Sequence, residues 1–250
     1  MLSAENSGTA EATGSHGPKL SERQLRVAEL AAEGYPNREI ASTLKLTEQV
    51  VKNVLRSVFD KLGVWNRVEL ANYFSKGTPQ EVQQMAKQRM EAERIAELKR
   101  RQILDTKAER VLDELTNVAA TVFDVPIALV AMVDRKRVWF KSKVGVGLSQ
   151  IMRDMTACKD TIQQSQVLVI PDTKERAGAC WNPLVWLIGV RFYAAAPILT
   201  EDGYALGVVC IVDYKPREFS DSQLAVLPSL AKIALEHIER GESGSEKLSG

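Results

Sequence analysis

The chain has 250 residues, 45% of them hydrophobic and 26% charged, and a formal net charge of +1. That length can hold one large core or two smaller ones, and the composition is ordinary for globular protein. A near-neutral chain is excluded as a wholesale polyanion binder, so any nucleic-acid footprint must be local.

Residues 1–18 are rich in Ser, Gly, Ala and Glu, and are predicted to form a disordered tail. They lack the basic and apolar regions of a signal peptide. No apolar run reaches the roughly 18 residues that span a bilayer, so no membrane partner is expected. Cys158, Cys180 and Cys210 are odd in number and scattered, which fits a reducing cytoplasm better than a disulfide framework.

Residues 19–76 are predicted as four short helices. Ser21 with Gln24 makes a capping box, Leu25, Ala28, Leu30 and Ala31 form an apolar face, and Gly34 stops the first helix. A very short helix starts at Asn37, and Lys45-Leu46 is the turn. Thr47 caps a third helix that runs to about Leu62, where Gly63 ends it. The stretch "RVELANYF" supplies the fourth.

Residues 77–102 are predicted as a polar helical linker. Val82, Met85, Ala92, Ile95 and Leu98 only partly obey a heptad, and Arg89 and Lys99 fall where a strong seam wants Leu. Such a helix is expected to pair weakly with its copy.

Residues 103–240 begin with a helical stripe from Ile103 to Val122 and then change period. Strands are predicted in "PIALVAMVD", "RVWFKSKVG" and "VLVIPDT", with a short helix in "CKDTIQQS". A hairpin follows in "RFYAAAPILTEDGYALGVVCIVD", with Asp202-Gly203 at its turn. Ser220 with Gln223 caps a last helix that Pro228 should kink. Helix, about five strands and helix make an α+β domain on one central sheet. Residues 241–250 are expected to be a second disordered tail.

In the third N-terminal helix, Val51, Val54 or Leu55, Val58 and Leu62 make an inward stripe. Thr47, Gln49, Val50, Lys52, Asn53, Arg56, Ser57 and Lys61 are the candidate DNA-contacting residues on the remaining surface. Lys and Arg suit phosphates or guanine edges, and Asn and Gln suit adenine. Residues 20–74 resemble the LuxR-type helix-turn-helix domain. The matching residues are Asn37, Glu39-Ile40-Ala41, Val51-Lys52-Asn53, Lys61-Leu62-Gly63-Val64 and Asn66-Arg67. The resemblance implies a four-helix bundle that binds double-stranded DNA, with useful affinity requiring a homodimer on two half-sites. Gln49, Val50 and Val54 depart from the family pattern, which implies modest affinity and an unusual operator preference. The segment carries a local excess of three positive charges.

Residues 104–239 resemble a GAF domain, on "IPDT", "GVRFYAAAPILTEDGYALGVVCIVD" and "KPREFSDSQ". The resemblance implies a central antiparallel sheet and a site for a small-molecule ligand or protein partner. Trp139, Cys158, Asp172, Trp181, Phe192, Tyr193 and Asp213 are the candidate ligand-facing residues. For the aromatic members plain packing is the competing expectation. Cys158 is the candidate reactive thiol, beside Lys159 and near a helix start, and Cys210 is expected to be buried and inert.

Clustered zinc ligands, a Cys-His pair for bilin and the cyclic-nucleotide motif of related GAF domains are absent from the sequence. So is the cysteine motif of GAF-fold methionine sulfoxide reductases, and no catalytic constellation is recognised. No cofactor is assigned and no metal site or enzyme activity is expected. The resulting expectation is a cytoplasmic transcription regulator whose sensor adjusts dimer geometry. The competing expectation is a GAF-fold interaction or redox-sensing module with weak or no DNA binding.

Overall fold

The computed structural model describes residues 20–75, 80–175 and 188–245. Helices α1 (Glu22–Ala32), α2 (Asn37–Leu44), α3 (Glu48–Leu62) and α4 (Arg67–Phe74) form the N-terminal bundle. Local chemistry sets their ends. Ser21 and Gln24 exchange both capping hydrogen bonds, and Thr47 Oγ1 accepts from the Val50 amide at 3.3 Å. Lys45 (φ 55°) and Gly63 (φ 65°) end α2 and α3 in the left-handed region. Val27, Ala28, Ile40, Val51, Leu55, Val58 and Leu70 fill the space between the four helices. The bundle is closed from inside by Arg67, which is 1% exposed. Its guanidinium donates to the Tyr35 carbonyl at 3.0 Å and to Asn37 Oδ1 at 2.5 Å.

Helix α5 (Gln80–Arg100) is not a free rod. Ile95 and Leu98 of the partial heptad are buried, together with Met90 and Arg94, while Met85 and Ala92 remain exposed. Arg94 donates to the Val133 carbonyl at 2.7 Å and the Ala205 carbonyl at 3.2 Å, so it satisfies the ends of two sheet strands. Glu91 pairs with Arg94 and with Arg153. On its other side, the Arg89 guanidinium lies 4.0 Å from the Tyr35 ring centroid. The helix is thus packed between the bundle and the sheet.

The helical stripe expected from Ile103 onward starts later than its periodicity suggests. Gln102 (φ 50°) and Asp105 (φ 59°) break the chain, and α6 runs only from Arg110 to Val122. Ile103 still enters the core, but from a loop.

The sheet has six strands in the order β3-β2-β1-β6-β5-β4, and every adjacent pair is antiparallel. The strands are β1 (Ile127–Val133), β2 (Arg137–Val144), β3 (Gln150–Met152), β4 (Leu168–Ile170), β5 (Phe192–Leu199) and β6 (Ala205–Asp213). The expected hairpin is the pair β5–β6, turning through Gly203 at φ 78°. Strand β3 is a sixth strand beyond the five expected; three edge residues carry too little pattern to be seen in sequence.

Side chains alternate across the sheet, and both faces are covered. On one face α6 and α8 (Asp221–Ser245) bury Leu112, Leu115, Leu227, Leu230 and Ile238 against Val130, Phe192, Ala194 and Ile211. On the other, the short α7 (Cys158–Thr161) and its flanks pack Ala157, Cys158 and Ile162 against Leu129, Tyr193, Val208 and Cys210. Double-sided burial explains why β1 and β6 are almost continuously apolar. Ser220 and Gln223 exchange the hydrogen bonds of the expected capping box, and Pro228 lies inside α8.

Burial pushes the Glu91 carboxyl up, but hydrogen bonds from Arg94 and Arg153 outweigh it and hold the pKa at about 2, against an ordinary 4.5. A depressed carboxylate stabilises the fold fully above its unfolded value, and loses that contribution as pH falls through the folded one. Glu91→Gln is therefore expected to lower the melting temperature by roughly 2–4 °C at neutral pH. In melts of both proteins, the gap should close as pH drops from 4.5 towards about 2.

Candidate nucleic-acid interface

Helix α3 is amphipathic in the way a groove-reading helix requires. Val51, Leu55, Val58 and Phe59 are buried in the bundle. Thr47, Gln49, Asn53, Arg56 and Lys61 are exposed, and Val50, Lys52 and Ser57 are half-buried. All eight candidate residues therefore lie off the buried face. Their surroundings differ. Gln49 Nε2 donates to Asn53 Oδ1 at 3.2 Å, and this preorganises the two amides on open surface. Ser57 Oγ accepts from Gln24 Nε2 at 2.9 Å, and Lys61 Nζ donates to Gln24 Oε1 at 2.9 Å. The same glutamine that boxes α1 thus holds two members of the α3 surface.

The two central cations face the sensor domain. Lys52 Nζ lies 3.5 Å from Asp202 Oδ2, and Arg56 reaches Glu201 Oε1 at 2.9 Å. Both acids sit in the turn between β5 and β6. In the sequence Asp202 is half of a turn signal, and Glu201 stands beside it without a motif. No periodicity links positions about 150 residues apart, so their pairing with α3 leaves no mark in the sequence.

Arg67 anchors the same contact from below. Its Nε donates to the Asp202 carbonyl at 3.1 Å, and its guanidinium stands 5.0 Å from the Tyr204 ring centroid. Glu69 Oε1 accepts from the Ser165 amide at 2.9 Å and from the Ser165 hydroxyl. Gly203 is required here, because a Cβ at this position would come within 2.9 Å of Asn66 Cα and 3.1 Å of the Arg67 nitrogen.

The candidate sensor residues do not converge on one cavity. Trp139 and Phe192 point into the helix-covered face, while Cys158 and Tyr193 belong to the opposite layer. Phe192 and Tyr193 are consecutive in a strand, and strand alternation forces them to opposite faces. Asp172 is committed to Arg191, at 2.5 and 2.9 Å, and Asp213 to Arg217 at 2.5 Å. Trp181, like Cys180, lies outside the described residues.

What the structure does bring together is a buried polar knot under α7. Cys158 Sγ accepts hydrogen bonds from Thr156 Oγ1 at 3.1 Å and Tyr193 Oη at 3.5 Å, and Thr161 Oγ1 lies 3.0 Å from Tyr193 Oη. A hydrogen bond from the Cys210 thiol lowers the Cys158 pKa; burial opposes it, and the two hydroxyls add to it, leaving about 7. Cys210 is correspondingly raised by the same bond, and Tyr193 by burial. Cys210 is buried, as expected, and its raised pKa keeps the thiol protonated. The described residues contain no group of His, Cys, Asp and Glu that could hold a metal ion.

Comparison with known proteins follows this division. Residues 18–74 match the family of bacterial regulatory proteins described as the luxR family, and residues 107–235 match the GAF domain family. A cyclic di-GMP phosphodiesterase of Pseudomonas aeruginosa is 30% identical over 138 residues, which are 54% of this chain and 24% of that protein. The chain therefore spans about a quarter of that curated relative's length. Among solved structures, the GAF domain of an Acinetobacter phosphoenolpyruvate-protein phosphotransferase superposes with a TM-score of 0.46 at 12% identity, over 63% of this chain and 98% of that one. A free methionine-R-sulfoxide reductase of Neisseria meningitidis gives 0.44 at 18% identity, over 63% and 93%.

The thiol pair makes a measurable prediction. In a difference titration of wild type against Cys158→Ser, the ultraviolet absorbance of a thiolate should rise with a midpoint of about 7. In Tyr193→Phe the midpoint should move upward, since one donor to the sulfur is gone.

Proposed function

The chain belongs to the GAF domain family and carries a LuxR-family segment ahead of that domain, and from this we propose that it is a DNA-binding transcription regulator whose sensor domain controls the reading helix. The observation that carries this reading is the surface of α3. Its apolar side is sealed in the bundle, while Gln49, Asn53 and Arg56 remain exposed over it. Arg56 and Lys52 would meet phosphates or guanine edges, and the Gln49–Asn53 amides would meet adenine. Thr47 at the helix start, Val50, Ser57 and Lys61 complete the contact surface.

A homodimer supplies two such helices to two half-sites. It is supported by an apolar stripe along α6, where Val111, Val118 and Val122 are 45%, 50% and 54% exposed, and by Ile233 of α8 at 48%. The sensor input is a small molecule or a protein partner acting on the GAF domain, and the role assigned to that domain is regulatory rather than catalytic. An input changes DNA binding only by favouring one arrangement of the domains over another.

Two measurements test these readings. Selection of bound duplexes from a random pool at two salt concentrations should enrich a palindromic motif, and affinity should fall steeply with salt. Lys52→Ala or Arg56→Ala should weaken binding several-fold and flatten the salt slope by about one ion each, with the fold intact by circular dichroism. Unaltered affinity in both would remove α3 from the groove. For the dimer, Val118→Asp should shift the mass measured by light scattering from two chains to one.

A further inference from the structure

The acidic turn of the β5–β6 hairpin occupies the place on α3 where a DNA phosphate would sit. Resting on the DNA-binding reading above, we propose that this turn is an intramolecular mimic of the DNA backbone, which competes with DNA for α3 and lowers its affinity until the sensor domain withdraws the turn.

Four observations converge on it. Glu201 and Asp202 place their carboxylates on Arg56 and Lys52, the two cations at the centre of the α3 surface. A carboxylate on a guanidinium or ammonium satisfies the same donors that a phosphate oxygen would, and the two cannot be present together. The hairpin is also held in place by shape. Gly203 rests on the backbone of Asn66 and Arg67 with no room for a Cβ, the Arg67 amide donates to the Gly203 carbonyl at 3.5 Å, and Arg67 takes the Asp202 carbonyl. A duplex lying along α3 would overlap this turn.

The contact is built to open. Asp202 Oδ1 and Asn66 Nδ2 are both buried in it without a hydrogen-bond partner. Separation would return both to water, and so recover the desolvation that the closed state costs. The Arg56–Glu201 pair is largely exposed, with side chains 55% and 64% accessible, so it contributes little and is screened by salt. A small cavity of about 50 Å³ lies in the same seam, lined by Asn66, Arg67, Gly203 and Tyr204. The closed arrangement is therefore specific in geometry yet modest in strength, as a switch requires.

The hairpin is also the right lever. Its two arms are β5 and β6, neighbours in the sensor sheet, and they carry Tyr193 and Cys210 of the buried polar knot on the face under α7. Movement of these strands against α7 is transmitted along rigid backbone to the turn, without an intervening linker.

The test uses the full chain and a fluorescent mixed-sequence duplex of about 30 base pairs at low salt, read by anisotropy. Glu201→Gln with Asp202→Asn should tighten binding about tenfold, since two competing anions are removed. Gly203→Asn opens the contact without altering charge. Asn tolerates the positive φ, but its Cβ collides with the Asn66 backbone, so binding should tighten by a similar factor. Glu218→Gln with Glu236→Gln removes two exposed carboxylates elsewhere and should change affinity by less than about twofold. Adding Lys52→Ala or Arg56→Ala to the opened proteins should abolish the gain. If neither hairpin variant binds more tightly than wild type, or the distant pair gains as much, the mimicry is overturned while DNA binding stands. If Lys52→Ala and Arg56→Ala leave the opened proteins unchanged, the DNA-binding reading itself fails and this inference fails with it.

Discussion

The Arg67 side chain is only 1% exposed, and its guanidinium donates to partners on both sides of the boundary between bundle and sensor. Within the bundle it takes the carbonyls of Ala31 and Tyr35 and the side chain of Asn37; across the boundary it takes the Asp202 carbonyl and faces the Tyr204 ring. A buried cation tolerates few arrangements, because each donor left without a partner carries a desolvation penalty. The orientation of α1, α2 and α4 and the position of the β5–β6 turn are consequently tied to one side chain. Arg67 thereby helps to hold the acidic turn alongside α3, where it reaches Lys52 and Arg56.

Helix α5 makes the arrangement stiffer than the polarity of its sequence suggests. Arg94 closes the ends of β1 and β6, and Glu91 bridges it to Arg153, while Arg89 stacks on Tyr35 of the bundle. A segment that resembles a solvated spacer by composition is in fact a strut. Rearrangement between bundle and sensor must break contacts at the α3–hairpin seam or along this strut. The seam is the weaker of the two, since it contains exposed ion pairs and unpartnered polar atoms.

The sensor sheet places its chemistry on the face under α7. Cys158, Thr161 and Tyr193 form a hydrogen-bonded cluster there, packed beside Cys210 inside a layer of Ala, Val, Leu and Ile. Such a cluster is expensive to disturb when satisfied and sensitive when it is not. Tyr193 and Cys210 lie on the two strands that the acidic turn joins, so an event at the knot and an event at α3 share a mechanical element.

The amino-acid sequence determined the elements whose causes are local. Ser21 with Gln24, Thr47, Gly63 and Ser220 with Gln223 mark helix ends through hydrogen bonds spanning three or four residues, and Asp202-Gly203 marks a hairpin for the same kind of reason. The apolar stripe of α3 likewise reports its buried face, and motif residues such as Asn66-Arg67 point to the bundle as a whole. Tertiary structure alone decided which strand face a side chain serves relative to α6, α7 and α8, and that split Phe192 from Tyr193. It also decided that Arg94 caps strands, that Cys158 meets Cys210, and that Glu201 and Asp202 meet Arg56 and Lys52. These contacts join positions far apart in the chain, where neither periodicity nor spacing carries a signal. They exist because burial and charge pairing are settled in three dimensions, after the local elements have formed.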